Sequence, residues 1–414
     1  MMQIVGAIFG IFFLGQSLAN SVRYDNYRVY SVNVENIDHF HQLKSIESQY
    51  DFWRSGNVGQ HSDIMVAPQK VDEFEKFIAN LNSSIKVDNV QRLIDSENDA
   101  MKLGRQQEGF GWTSYHTHSE IYTWIDSLLL QYPTILTGLF VGSTFEGRQI
   151  RAVRLSRKTG NPTIFVESNI HAREWITSAT ATWLLNELLT STDPVVQVLS
   201  SEYDWIIVPI VNVDGYVYTQ TNRMWRKTRQ PHSLFCYGAD PNRNFGSNWL
   251  YNDQGASKNP CSTSYAGPAP FSEPETKALS EFYLNYASSV KMYLDLHAYG
   301  QYILLPYGHT FVQAETYHDM MNIGLKGQAA MATRYGADYI LGSVYNVMYI
   351  ATGSSMDWAY DVGKVPLAFG FELRDARNGG YGFILPPDQI LPNCEEFMDG
   401  LKAMIAEAVV LGYF

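Results

Sequence analysis

The sequence predicts an α/β protein: a mixed or parallel sheet covered by helices on both faces, preceded by a small α+β domain. Two observations carry this. From Trp112 on, strand runs that are apolar at nearly every position alternate with segments of helical period. Such strands belong to sheets buried on both faces, and their alternation with helices to α/β architecture. Before that point, residues 20 to 105 interleave shorter strand-period and helix-period segments as a unit of their own. A chain of 414 residues is long enough for two or more domains.

The first element, Ile4–Gly15, is an apolar run followed by Ser17-Leu18-Ala19, the pattern of a cleavable export signal over residues 1–19. It is shorter than a membrane span. A secreted, extracellular protein without a membrane anchor is expected. Tyr27–Val34 alternates as a strand, and Ile37–Tyr50 places Phe40, Leu43 and Ile46 at helical spacing. Ser62–Val66 reads as a strand, Val71–Leu81 as a second helix and Ile85–Val90 as another strand. The polar stretch Ser96–Gln107 reads as a linker or exposed helix, and its Lys102 and Arg105 offer sites for tryptic nicking.

The larger unit, 106–414, opens with a helix over His118–Gln131. A strand follows at Thr163–Ser168, a helix at Thr177–Leu189 and a strand at Asp204–Val211, closed by the turn signal Asn212-Val213-Asp214-Gly215. Val290–Leu296 and Leu367–Phe371 are further strands.

The formal net charge of −12 argues against a nucleic-acid binder, which needs a basic face. Export implies an oxidising compartment. With three cysteines, one disulfide and one free thiol are expected. Cys236 and Cys261 close the shorter loop and are the expected pair, leaving Cys394 as a buried thiol.

Three strands end in ionisable residues. His171 and Glu174 follow the first, His297 the second and Glu372 the third. In open α/β sheets, sites form beyond the carboxyl ends of the strands. Two histidines and one carboxylate suit Zn²⁺ with a position left open for water. His-x-x-Glu alone is a weak signal, and a histidine after a strand can simply cap it.

Further stretches make the pattern specific. His171-Ala172-Arg173-Glu174-Trp175-Ile176-Thr177 resembles the zinc motif of the pancreatic-type A/B metallocarboxypeptidases. In the same order as in that family come Asn222–Lys227, Asp240-Pro241-Asn242-Arg243-Asn244, Leu296-His297-Ala298-Tyr299, Gly353–Trp358 and Phe371-Glu372-Leu373-Arg374-Asp375. The resemblance spans nearly the whole chain and is closest to the A-type precursors. It implies a mixed, mostly parallel eight-stranded sheet behind an inhibitory propeptide.

The same resemblance implies one Zn²⁺ held by His171, Glu174 and His297, with Asp240 orienting the first histidine. Glu372 would be the general base and Arg226 the oxyanion donor. Asn242 and Arg243 would bind the terminal carboxylate, which makes the enzyme an exopeptidase. Tyr349 would close over the substrate, and Arg173 and Tyr299 would serve outer subsites. Met356 occupies the pocket position that is acidic in members preferring Lys or Arg. Val344, Met348 and Gly308 match other pocket positions, none of them charged, and Gly370 stands where many relatives have Thr. Release of aliphatic or aromatic C-terminal residues follows as the expectation, by a monomer that a trypsin-like protease activates. The rival readings are a catalytically silent carboxypeptidase-like binding module and a secreted protein whose His and Glu residues are structural. A serine peptidase lacks the Gly-x-Ser-x-Gly elbow.

Overall fold

The computed structural model describes residues 21–104, 109–375 and 380–414. The expected export signal and Arg105 lie outside the described residues. Among these, twelve strands form two sheets.

The leading sheet comprises β1 (Arg28–Val34), β2 (Asp51–Arg54), β3 (Gln60–Val66) and β4 (Ser83–Val87), in the order β2-β3-β1-β4. Its pairings are antiparallel. Side chains alternate between its faces, and both faces are covered. Tyr30, Val32, Val34, Ile64 and Val66 pack with Leu43, Phe74 and Ile78 from the helices Ile37–Lys44 and Val71–Phe77. Val29, Met65 and Val87 face the other way and join the core of the larger unit. The short β2 escapes a pattern reading because only four residues, with a charge at each end, carry it.

Residues 96–104 of the stretch read as a linker or exposed helix belong to the helix Val90–Gly104, and Glu97 and Met101 among them are buried. Glu97 is buried and accepts two hydrogen bonds from Arg223, at 2.6 and 2.9 Å. Arg223 lies over the ring of Trp175. The helix is thereby fastened to the larger unit. Lys102 sits near its C-terminal end, exposed and paired with Asp99.

The large sheet contains β5 (Leu136–Ser143), β6 (Gln149–Leu155), β7 (Thr163–Ser168), β8 (Asp204–Val208), β9 (Val290–Ala298), β10 (Tyr302–Leu305), β11 (Ile340–Ser343) and β12 (Leu367–Leu373). Its order is β11-β10-β12-β9-β7-β8-β6-β5. Four neighbouring pairs are parallel, namely β11/β10, β12/β9, β9/β7 and β7/β8. The other three are antiparallel. β8 stops three residues before its expected end, at Pro209, which has no N–H for the ladder. Consecutive residues of β12 show that both faces are covered. A Cβ on Gly370 would lie 3.4 Å from the sulfur of Met356 in the helix Ser355–Asp361. The next residue, Phe371, packs edge-on against Phe397 of the helix Ile390–Val410. Cys236 and Cys261 are bonded, and Cys394 is free and buried.

Glu97→Ala would leave Arg223 buried without its carboxylate. The expected cost is about 3–5 kcal/mol, read as a lower urea midpoint of the full chain, and an unchanged midpoint would contradict it. A second prediction concerns Glu275, fully buried at the start of the helix Pro274–Leu284 with Oε2 unpartnered. Burial pushes its carboxyl up to about 7, against about 4.3 in an unfolded chain. The folded state therefore keeps the proton longer. This group favours folding fully below about pH 4.3, and that contribution is lost as pH rises through about 7. Glu275→Gln is expected to flatten the decline in stability between pH 5 and pH 8. A decline as steep as the parent's would contradict the assignment.

Candidate metal centre

The centre is assembled by strand register. β7 and β9 are parallel neighbours, with Ser168 opposite Leu296. The residues just beyond them, His171 and His297, therefore emerge at the same end of the sheet. On the other side of β9, Glu372 of β12 is opposite His297. Registered neighbours share a face, so the row Tyr302–Glu372–His297 runs across β10, β12 and β9 on one side. Two residues deeper on the same face lies the row Leu304–Gly370–Asp295–Glu167.

His171, Glu174 and His297 are all buried, and each offers one ligand atom within 4.8 Å of the others. Nδ1 of His171 is 2.9 Å from Glu174 Oε1, and Nδ1 of His297 is 3.1 Å from Glu174 Oε2. The two Nδ1 atoms are 3.1 Å apart. Glu174 also accepts the backbone N–H of Ala298. Burial opposes its charge, but the two imidazoles hold its carboxyl below the usual range. Two ring nitrogens and a carboxylate aimed at one point form the donor set of a single divalent cation such as zinc. The residues present fit it.

Behind this set, His171 Nε2 lies 3.0 Å from Asp240 Oδ1. Asp240 also caps the turn Pro241–Arg243 by accepting the N–H of Asn242. Its other oxygen takes Arg226 Nε and Nη2 at 3.2 and 3.0 Å. The cap of this turn and the histidine contact are thus made by one side chain. Arg226 Nη1 reaches to 3.6 Å from Glu174, at the rim of the donor set.

A cavity of about 790 Å³ opens onto these residues. Glu372 lines it, and burial pushes its carboxyl up to about 8, with Glu174 adding to the rise and His297 opposing it. Asn242 and Arg243 sit on the wall. Arg243 donates Nη1 to Asn242 O, stacks near Tyr349, and has a buried Nε without a partner. Leu304, Val344, Met348, Met356 and Gly370 line one side, while Gly308 sits behind Val344 and Ala351.

Two expected subsite residues are already engaged by the leading unit. Arg173 donates to Asp51 at 2.7 Å, and Tyr299 donates its hydroxyl to Asp63 at 2.9 Å. Lys86 joins Asp63 and Asp375, and Arg54 donates to the hydroxyl of Tyr302. Phe40, Trp53 and Arg54 wall the cavity from this side. Sequence reasoning missed Asp51, Asp63 and Arg54, whose partners are set by docking. It also missed Asp295, although a lone acid in Met292-Tyr293-Leu294-Asp295-Leu296-His297 was a usable signal. The named pocket positions carry no charge, but Asp295 stands beside Gly370 in the row above. Its side chain is only 2% exposed.

Residues 121–400 match the zinc carboxypeptidase family and residues 27–97 the carboxypeptidase activation peptide. Zinc carboxypeptidase A 1 of Drosophila melanogaster is 41% identical over 411 residues, covering 96% of this chain and 95% of that one. Carboxypeptidase B of Rattus norvegicus is 36% identical over 399 residues, covering 93% and 94%. The crystal structure of the carboxypeptidase A from Helicoverpa armigera superposes with a TM-score of 0.87 at 28% identity, covering 94% of this chain and 99% of that one.

If the three side chains hold one cation, His297→Ala should abolish metal retention. Metal analysis after dialysis is expected to give about one zinc per parent chain and essentially none for the variant. Equal retention would contradict the assignment.

Proposed function

Because this chain belongs to the zinc carboxypeptidases that carry an activation peptide, we propose that it is secreted as a monomeric zymogen and releases single apolar residues from peptide C-termini. The observation that carries this reading is the meeting of His171, Glu174 and His297 beside Glu372, with Arg243, its buried Nε unpartnered, in the wall of the same cavity.

When bound, zinc supplies Lewis-acid polarisation of the scissile carbonyl and lowers the pKa of the attacking water. Glu372 takes that water's proton and returns it to the leaving amine. Arg226, held in place by Asp240, donates to the oxyanion that develops as the carbonyl is attacked. Asn242 and Arg243 grip the terminal carboxylate; a guanidinium forks onto both oxygens. A chain lacking a free carboxylate at that point gains nothing there. Tyr349, already beside Arg243, closes over the bound residue.

Met348, Met356, Val344 and Leu304 surround the side-chain pocket. A cationic side chain buried there would meet only Asp295, already engaged by His297 and Ser355, and would be costly, so apolar residues are favoured, and the flexible thioethers tolerate varied shapes. Residues 20–105 form the inhibitory unit in front of the catalytic unit 106–414. Asp51 and Asp63 occupy Arg173 and Tyr299, so a long peptide cannot use those subsites until the unit is removed. A trypsin-like cut near Lys102 or Arg105 would release it.

Trypsin-treated protein should hydrolyse blocked dipeptides ending in Phe or Leu faster than those ending in Lys, and a chelator should stop it. Faster release of Lys would overturn the specificity. Arg226→Ala is expected to lower kcat by about 10²–10³-fold, as for other oxyanion donors. A loss under about threefold would remove Arg226 from that role. On a long peptide, uncut protein should be much slower than the nicked form; equal rates would overturn the latency.

A further inference from the structure

Asp240 supports one metal-binding histidine. The other, His297, faces a different neighbourhood. A cation on Nδ1 of His297 leaves the ring proton on Nε2, and that N–H needs an acceptor. Asn242 Nδ2 lies 2.9 Å from Nε2 but is itself a donor, and the amide's oxygen is taken by the N–H of Ser355 at 2.8 Å. The acceptor within reach is Asp295, whose Oδ2 is 3.0 Å from Nε2. Asp295 precedes His297 by two residues on β9, so the pleat puts both on one face. Its position is fixed from a second side: Ser355 Oγ donates to the same oxygen at 3.0 Å.

We propose that Asp295 is the positioning residue for His297, the counterpart of Asp240 for His171, and that the carboxylate–Ser355 bond ties this half of the centre to the helix carrying Met356. The inference rests on the zinc reading above. It accounts for a buried acid inside an otherwise apolar strand, which otherwise costs stability. Glu167, opposite Asp295 on β7, is also buried. Burial, reinforced by Asp295, raises its carboxyl well above the usual range.

The test is the zinc dissociation constant of the full chain, measured by competition with a chelator of known affinity, for the parent, Asp295→Asn, Asp295→Ser and Asp240→Asn. Loss of an outer carboxylate on a metal-bound histidine typically weakens binding about 10–100-fold. That loss is expected for both Asp295 variants, together with metal-free melting temperatures no lower than the parent's. The serine variant keeps the test open if the asparagine variant folds poorly. Zinc affinities within about twofold of the parent, with Asp240→Asn weakened, would overturn the inference. So would weakening matched by an equal loss of metal-free stability, which would make Asp295 a packing residue. A parent that binds no zinc would instead sink the zinc reading on which the inference stands.

Discussion

The structure is organised around a buried convergence of donors. Two imidazoles and a carboxylate, all nearly inaccessible to water, point at one another across distances near 3 Å. Lone pairs crowded in this way are unfavourable unless something positive lies between them. Zinc carboxypeptidases meet that requirement with a cation, and the large sheet here is built to the same end. β7, β9 and β12 run parallel side by side, so the ends of three segments distant in sequence become neighbours.

The support around the donors is as ordered as the donors themselves. Asp240 serves three purposes at once. It caps a turn, faces the outer nitrogen of His171 and holds Arg226. Because Asn242 and Arg243 lie in the turn that Asp240 caps, the geometry that orients a metal ligand also sets the residues suited to a carboxylate. The metal site and the proposed carboxylate grip are therefore coupled through a single side chain. The leading sheet uses its two faces just as economically, one for its own helices and the other for the catalytic unit. Its charged contacts land on side chains at the rim of the cavity, so the unit covers the crevice without filling it.

Much of this was legible in the sequence because it is local or periodic. His171 and Glu174 share one turn, the buried strands announce themselves as continuous apolar runs, and the leading unit alternates with period two. Other features depend on which strands become neighbours. Nothing in the spacing of Asp295 and Glu167 reveals that their strands pair, and Asp51 and Asp63 acquire meaning only when the leading unit docks. Glu97 was hidden for a different reason: in a helix that is polar overall, one buried acid cannot be told from its exposed neighbours until Arg223 is placed beside it. β10 and β11, at four residues each, are too short for periodicity to reveal.

The most direct measurement is an anomalous difference map from crystals of the protein, collected on both sides of the zinc absorption edge. The account predicts one strong peak per chain, within about 2.0–2.2 Å of Nδ1 of His171, Nδ1 of His297 and the carboxylate of Glu174. A map with no peak there, or with its only peak bound by other residues, would contradict it.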